Sequence, residues 1–205
     1  RDLIVTGVQT CALPISFYAN GLLSDDKYHV CVSFGDALTQ FIVMKGRSML
    51  FSRPLAGISN DGLIRLIMRN LNLEEAEARE ALASWIVRGG EGSENPVEAT
   101  DSSEEAMRLR RIETTMGHFL SQLVIEVQRS VDAFCIMYGG EHVADIYVCG
   151  EGVTYPGGVT HMQETLRINT KLFDPFERLL GEDRKNSEVV ARAPLYAVAT
   201  GLAIP

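Results

Sequence analysis

Residues 28 to 34, Tyr-His-Val-Cys-Val-Ser-Phe, are dense in β-branched and aromatic side chains and read as a strand. Gly35-Asp36 signals a turn, and Thr39 to Met44 reads as a second strand. Lys45-Gly46-Arg47 turns the chain again before a third strand over Ser48 to Ser52, and connections this short make an antiparallel meander. Ser59-Asn60-Asp61 then supplies an N-cap ahead of Leu63, Leu66, Ile67 and Leu71, which have helical spacing. A Glu- and Ala-rich stretch from Leu73 to about Arg88 predicts a second helix. Residues 89–103 are acidic, Gly-containing and aperiodic, which predicts a loop or linker. Leu109, Ile112, Met116, Leu120, Leu123, Val127, Val131 and Phe134 recur every three or four positions. They predict one long amphipathic helix from about residue 103 to 136, with Ser102 and Glu105 as its capping box. Ala144 to Cys149 reads as a buried strand, followed by a helix near Val159 to Arg167 and a weak strand at Lys171-Leu172-Phe173. The tail from Ala193 to Ala203 reads as a packed helix, and the mixture of strands and helices indicates an α/β fold.

The first residues change how much of the chain this pattern covers. Val5 to Ile15 match, without interruption, the translation of a common sequencing-adapter oligonucleotide. Residues 1–15 are therefore expected to be a non-native segment outside the fold, and 16–205 the domain proper. With that expectation goes another, that the protein continues upstream of residue 16 and that these residues are its C-terminal half. The net charge of −8 argues against a nucleic-acid surface, which needs a basic stripe. No run approaches the ~18 apolar residues of a membrane span. Cys31, Cys135 and Cys149 each sit inside apolar runs without paired spacing, which suits buried thiols in a reducing compartment. The four histidines show no metal-ligand spacing, and no metal site is expected.

Three segments carry candidate chemistry: the strand–turn–strand Val32 to Thr39, the run Val148-Cys149-Gly150-Glu151-Gly152 with Tyr155-Pro156-Gly157, and the end Pro194 to Ala203. In this order they resemble the second phosphate loop, the adenosine loop and the closing helix of the actin superfamily. Arg53 to Gly57, Leu71 to Glu77 and Glu126 to Ser130 further resemble segments of its type IV pilus branch, the PilM family. The resemblance covers about residues 28 to 205. It implies an actin-like, ribonuclease H-like half-domain with a mixed sheet and flanking helices. It also implies an ATP site, with magnesium, whose residues would be Ser33, Gly35, Asp36, Thr39, Glu126, Arg129, Gly150, Glu151 and Gly152. A glycine at 35 lets backbone N–H groups approach phosphate oxygens, and glycines at 150 and 152 leave room for a nucleoside. Glu126 and Arg129, three apart on a helix, share a face; they suit either a ribose and adenine contact or a solvated surface pair.

The departures from the family pattern weaken the ATP site. Relatives that hydrolyse ATP carry an aspartate where this chain has Ser33, and a neutral hydroxyl is a poor substitute for a metal-associated carboxylate. Leu38 stands where a threonine is expected, though Thr39 remains, and Glu151 replaces the second glycine of the adenosine loop. Asp36 is either a compensating carboxylate or a plain turn residue. Weak ATP binding and little or no hydrolysis are expected. The resemblance further implies a cytoplasmic scaffold of type IV pilus or related type II secretion assembly, recruited to the inner membrane without inserting in it. Its partners would be a PilN-like peptide, bound through the upstream half, and the pilus motor ATPases. The alternatives are an active ATPase, an FtsA-like division protein and a Rossmann-type enzyme built on Gly150-Glu151-Gly152, of which a lone Gly-x-Gly is weak support.

Overall fold

The computed structural model describes residues 12–87, 104–178 and 192–204. Five strands form one mixed sheet: β1 Tyr28–Phe34, β2 Thr39–Lys45, β3 Ser48–Leu55, β4 Val143–Gly150 and β5 Asn169–Leu172. Their spatial order is β3-β2-β1-β4-β5. The meander β1-β2-β3 is antiparallel as the turns predict, whereas β4 runs parallel to β1 and β5 parallel to β4. The helices are α1 over residues 12–19, α2 Asn60–Leu71, α3 Glu75–Val87, α4 Glu104–Met137, α5 Gly158–Leu166 and α6 Ala197–Ala203.

The central strands are buried on both faces, so their side chains divide by parity between two cores. Val30, Val32, Phe34, Phe41, Val43, Ile146 and Val148 join α2, α3 and α4 in the larger one. Cys31, Ile42, Met44, Tyr147 and Cys149 face the other way, toward α1 and the C-terminal segment, where Phe17 stacks on Phe173 at 3.8 Å. Cys31 and Cys149 are buried there with their sulfurs 3.7 Å apart, and Cys135 is half-buried on α4.

All eight periodic residues of α4 are buried, and its 34 residues span about 50 Å. The helix runs antiparallel to β1, with Phe119 near the end of that strand against Phe34 and Phe134 near its start against Tyr28. The expected capping box is not observed, because Ser102 and the Glu105 side chain lie outside the described residues, as does the expected linker at 89–103. At α2 the cap is as expected: Ser59 Oγ accepts from the Gly62 N–H at 3.0 Å. The tail departs from a single helix, since a 3-10 turn over Ala193–Tyr196 precedes α6. Pro194 lacks an N–H and cannot continue a helical ladder through that point.

Residues 12–15, set aside on sequence grounds, form the first turn of α1, while 1–11 lie outside the described residues. Leu13 and Phe17 are one helical turn apart and both fully buried in the second core. At the opposite end of the sheet from the turns, His29 ties β1 to its neighbours. Its Nε2 accepts from the Ser24 backbone N–H at 3.5 Å and pairs with Ser24 Oγ at 3.1 Å, while its Nδ1 lies 3.4 Å from Asp145 on β4.

Phe134 is fully buried between Tyr28, Phe51 and Tyr138, on the helix that spans the sheet. Phe134→Ala is expected to lower unfolding free energy by about 3–5 kcal/mol in a urea titration. A loss below about 1 kcal/mol would show that α4 is not the main support of the sheet.

Candidate functional site

The parallel pairing of β1 with β4 sets Phe34 opposite Gly150. It therefore brings two turns that are distant in sequence to the same end of the sheet. Phe34 governs the glycines there. A Cβ on Gly150, which has φ +92°, would strike the Phe34 carbonyl, and one on Gly152 would enter the Phe34 ring. Both glycines are thus explained by packing within the fold, where the sequence had suggested room for a ligand. Gly35 likewise sits tight in its own turn, its Cβ position 2.6 Å from the Leu38 carbonyl oxygen. Phe34, Phe119 and Tyr155 form an edge-to-face triangle beneath the two turns, with ring centres 5.7 to 6.4 Å apart.

Asn60, at the start of α2, is the hub of the polar layer above them. Its backbone N–H donates to the Gly35 carbonyl at 3.1 Å, and the next residue, Asp61, donates to the Asp36 carbonyl at 2.8 Å. The Asn60 amide donates to Asp36 Oδ1 at 2.8 Å and reaches Glu151 Oε2 at 3.4 Å, while its oxygen accepts from the Tyr155 hydroxyl at 2.7 Å. Asp36 and Glu151 also hydrogen-bond each other. The Asn60 contact, then the one with Glu151, holds the Asp36 carboxyl below the usual range. The bond to Asp36, followed by partial burial and the Asp36 charge, raises that of Glu151. Opposite shifts of this kind are what two neighbouring carboxyl groups produce when one of them ionises more readily than the other. Burial, with those two acids nearby, drives the Tyr155 phenol well up, so it remains a donor. Arg79 of α3 pairs with Glu75 at 2.9 Å and Asp61 at 3.5 Å at the edge of this cluster.

Of the residues singled out from sequence, Ser33, Gly35, Asp36, Thr39, Gly150, Glu151 and Gly152 lie at these two turns or on the strands that enter and leave them. Ser33 is half-buried beside Cys149, and Thr39 is fully buried with a hydroxyl that makes no hydrogen bond. Glu126 and Arg129 are elsewhere. Glu126 accepts from Arg129 at 2.7 Å and from Arg53 of β3 at 3.2 Å, about 10 Å along α4 from Phe119.

The part of α4 that faces the second turn lies nearer its N-terminus. Glu113, Thr114, Gly117 and Ser121 line a cavity of about 410 Å³ against Pro156, Gly157 and His161. These α4 residues were not singled out in the sequence. The only signal for them was that Gly117 interrupts a long helix on the side away from the periodic stripe. The cavity falls in the size range of small-ligand sites and has hydroxyl and carboxylate groups for a sugar. The nucleoside end of an ATP site therefore fits the residues present. The phosphate end does not fit well, because two carboxyl groups occupy the junction of the turns. Among the described residues no group of three or more His, Cys, Asp or Glu side chains could hold a metal ion, and no helix is long and apolar enough to cross a membrane.

Residues 112–205 match the sequence model of a family described as type IV pilus assembly protein PilM. Comparison with curated proteins gives no match. Among solved structures, the PilM-PilN type IV pilus biogenesis complex is similar with a TM-score of 0.70 at 20% identity, over 93% of this chain and 50% of that one. The ethanolamine utilization protein EutJ from Carboxydothermus hydrogenoformans follows at 0.57 and 13%, over 93% and 53%. MreB 5 of Spiroplasma citri bound to AMPPNP gives 0.55 and 16%, over 96% and 56%. The chain spans about half the length of the structures it resembles. At such identities those likenesses establish the fold alone, and the family match covers residues 112–205, less than half of the chain. The chain therefore has the actin-like fold, and its residues 112–205 are similar to the PilM family.

Proposed function

We propose that the protein acts in type IV pilus or related type II secretion assembly as a cytoplasmic actin-like adaptor, with a nucleotide site too weak to turn over ATP. The observation that carries the second half of this reading is the Asp36–Glu151 pair, which puts two carboxyl groups, both within reach of the Asn60 amide, where the two turns converge. A polyphosphate arriving there meets negative charge, and Ser33 offers a hydroxyl in place of a metal-associated carboxylate. The nucleoside cavity on α4 supports a residual affinity, so bound ATP, with or without magnesium, would be a structural ligand. The PilM-PilN structure supports a PilN-like peptide as the membrane-anchored partner, which would recruit the adaptor to the inner membrane through the part of the relatives that this chain does not span. Pilus motor ATPases are the second partner of the reading, on the strength of the family alone.

The nucleotide claim is tested by titrating the protein with a fluorescent ATP analogue and Mg²⁺, with Ser33→Asp alongside. Weak binding without turnover is expected, improving at least roughly tenfold in the variant. Tight binding with phosphate release by the native protein would overturn the reading.

The carboxyl pair has its own signature in stability. The folded pKa of Glu151 is raised, so its contribution is full below the ordinary carboxyl value and is lost as pH rises through the raised value. That of Asp36 is lowered, so its contribution is present above the ordinary value and lost as pH falls through the lowered one. The couple is most favourable when singly protonated. Glu151→Gln keeps an N–H for Asp36 at every pH and removes the second charge. Its melting temperature is expected to gain on the native protein by about 1–3 °C as pH rises from the ordinary carboxyl range through the raised value of Glu151. A pH-independent difference in thermal melts would mean the two carboxyls do not share a proton.

A further inference from the structure

At the end of the sheet away from the two turns, the polypeptide between α1 and β1 is fastened through one imidazole. His29 of β1 is buried, and its ring stands 6.2 Å from that of Tyr147 in the second core. Its Nε2 accepts from the Ser24 backbone N–H at 3.5 Å and lies 3.1 Å from Ser24 Oγ. An amide N–H only donates, so Nε2 carries the lone pair and the proton of the neutral ring sits on Nδ1. That Nδ1 lies 3.4 Å from Asp145 of β4, whose other carboxylate oxygen accepts from the Asn169 amide of β5. Ser24 completes the fastening, since its carbonyl accepts from the Gly46 N–H in the β2–β3 turn at 2.9 Å. Leu22 and Leu23, just before it, pack against the second core, where the Cys31 and Cys149 thiols are buried. Cys135 is half-buried on α4 and packs against the larger core instead.

We infer that His29 is an acid-sensitive latch, which releases residues 20–27 from the sheet when its imidazole takes a second proton. A proton on Nε2 turns an acceptor into a donor that faces the Ser24 N–H, and that amide loses its partner. The Ser24 hydroxyl is able to accept from the charged ring, so the amide bond is what the protonation removes. The charges around the ring come from two elements. Asp145 on β4 and Asp26 in the segment favour the charged form, and Lys27 in the segment opposes it. Tyr147 is a phenol that burial keeps neutral, and Met44, opposite His29 on β2, carries no charge. Burial outweighs Asp145 and holds the imidazole below its ordinary value. A solvated ring in the open segment therefore takes the proton more readily than the closed one. The latch contributes fully above the ordinary value of about 6.5 and is lost as pH falls through the lowered one. Leu22 and Leu23 leave with the segment, and the side of the core that holds Cys31 and Cys149 is uncovered.

The test is thiol labelling with dithiodipyridine between about pH 7.5 and about pH 5, read peptide by peptide by mass spectrometry. Each accessible thiol becomes a mixed disulfide and releases one thiopyridine. Labelling of Cys31 and Cys149 is divided by that of Cys135 in the same sample, which cancels global unfolding and the pH dependence of the reagent. In the native protein this ratio is expected to rise at least roughly tenfold toward acid. His29→Gln keeps a group that accepts from Ser24 and donates toward Asp145 without titrating, so its ratio is expected to stay flat. Asp145→Asn removes the charge that favours the protonated ring, and the rise is expected at lower pH with an unchanged circular dichroism spectrum. An NMR titration of the His29 ring is expected to share its midpoint with the labelling of the native protein, below the ordinary imidazole value. This titration and Asp145→Asn decide the matter if His29→Gln does not fold. A flat ratio in the native protein, an equal rise in His29→Gln, an unshifted rise in Asp145→Asn or a ring midpoint above the ordinary value would each overturn the inference.

Discussion

The parallel pairing of β1 with β4 is the constraint on which the rest depends. More than a hundred residues separate the two strands, and a parallel pair cannot be closed by a tight turn. The intervening chain supplies β2 and β3 on one side and α2, α3 and α4 on one face, then delivers β4 back beside its starting strand. Because the two strands point the same way, both leave the sheet at one end. The turns after Phe34 and Gly150 then meet without either having been built for the other. Phe34 enforces the match, since its carbonyl and ring fill the places where side chains at 150 and 152 would go. A larger residue at either position would push the turns apart before it touched any ligand.

That meeting has an electrostatic consequence. With glycine in place of Glu151, Asp36 would be a solvated turn residue bonded to Asn60. With glutamate there, two acids converge, and the contact holds the Asp36 carboxyl below and the Glu151 carboxyl above the usual range. Both groups are largely exposed, so the couple contributes little to stability and much to what can approach. Two carboxyl groups at the junction of the turns make the approach of an anion there less favourable than that of a cation.

The sheet and the long helix were legible because periodicity measures burial directly. The eight α4 positions at spacings of three and four are all in the core, and the short turns around Gly35 and Gly46 forced an antiparallel meander. What the sequence did not reveal is where along α4 the turns come to rest. An i, i+3 pair such as Glu126 and Arg129 is satisfied by itself, and its third partner, Arg53, lies 73 residues away in the chain. Only the direction and register of α4 on β1 show that Glu113 and Thr114 face the second turn. The Asp36–Glu151 contact was hidden for the same reason, although each residue had been noticed alone. The segment at 12–15 illustrates a different limit. An apolar pair one turn apart packs against Phe173 wherever a sheet face is open, so burial of Leu13 says that the residues suit the surface and nothing about their origin.

Asn60 joins these strands of the argument. It is the first residue of α2, its backbone is fixed to the first turn, and its amide bonds both acids while accepting from Tyr155. Tyr155 in turn packs on Phe34 and Phe119, which belong to β1 and α4. A shift of α2 relative to α3 is therefore transmitted through one amide to the carboxyl couple and through one phenol to the aromatic triangle. The first residue of α2 thereby ties the geometry of both turns to the packing of β1 on α4.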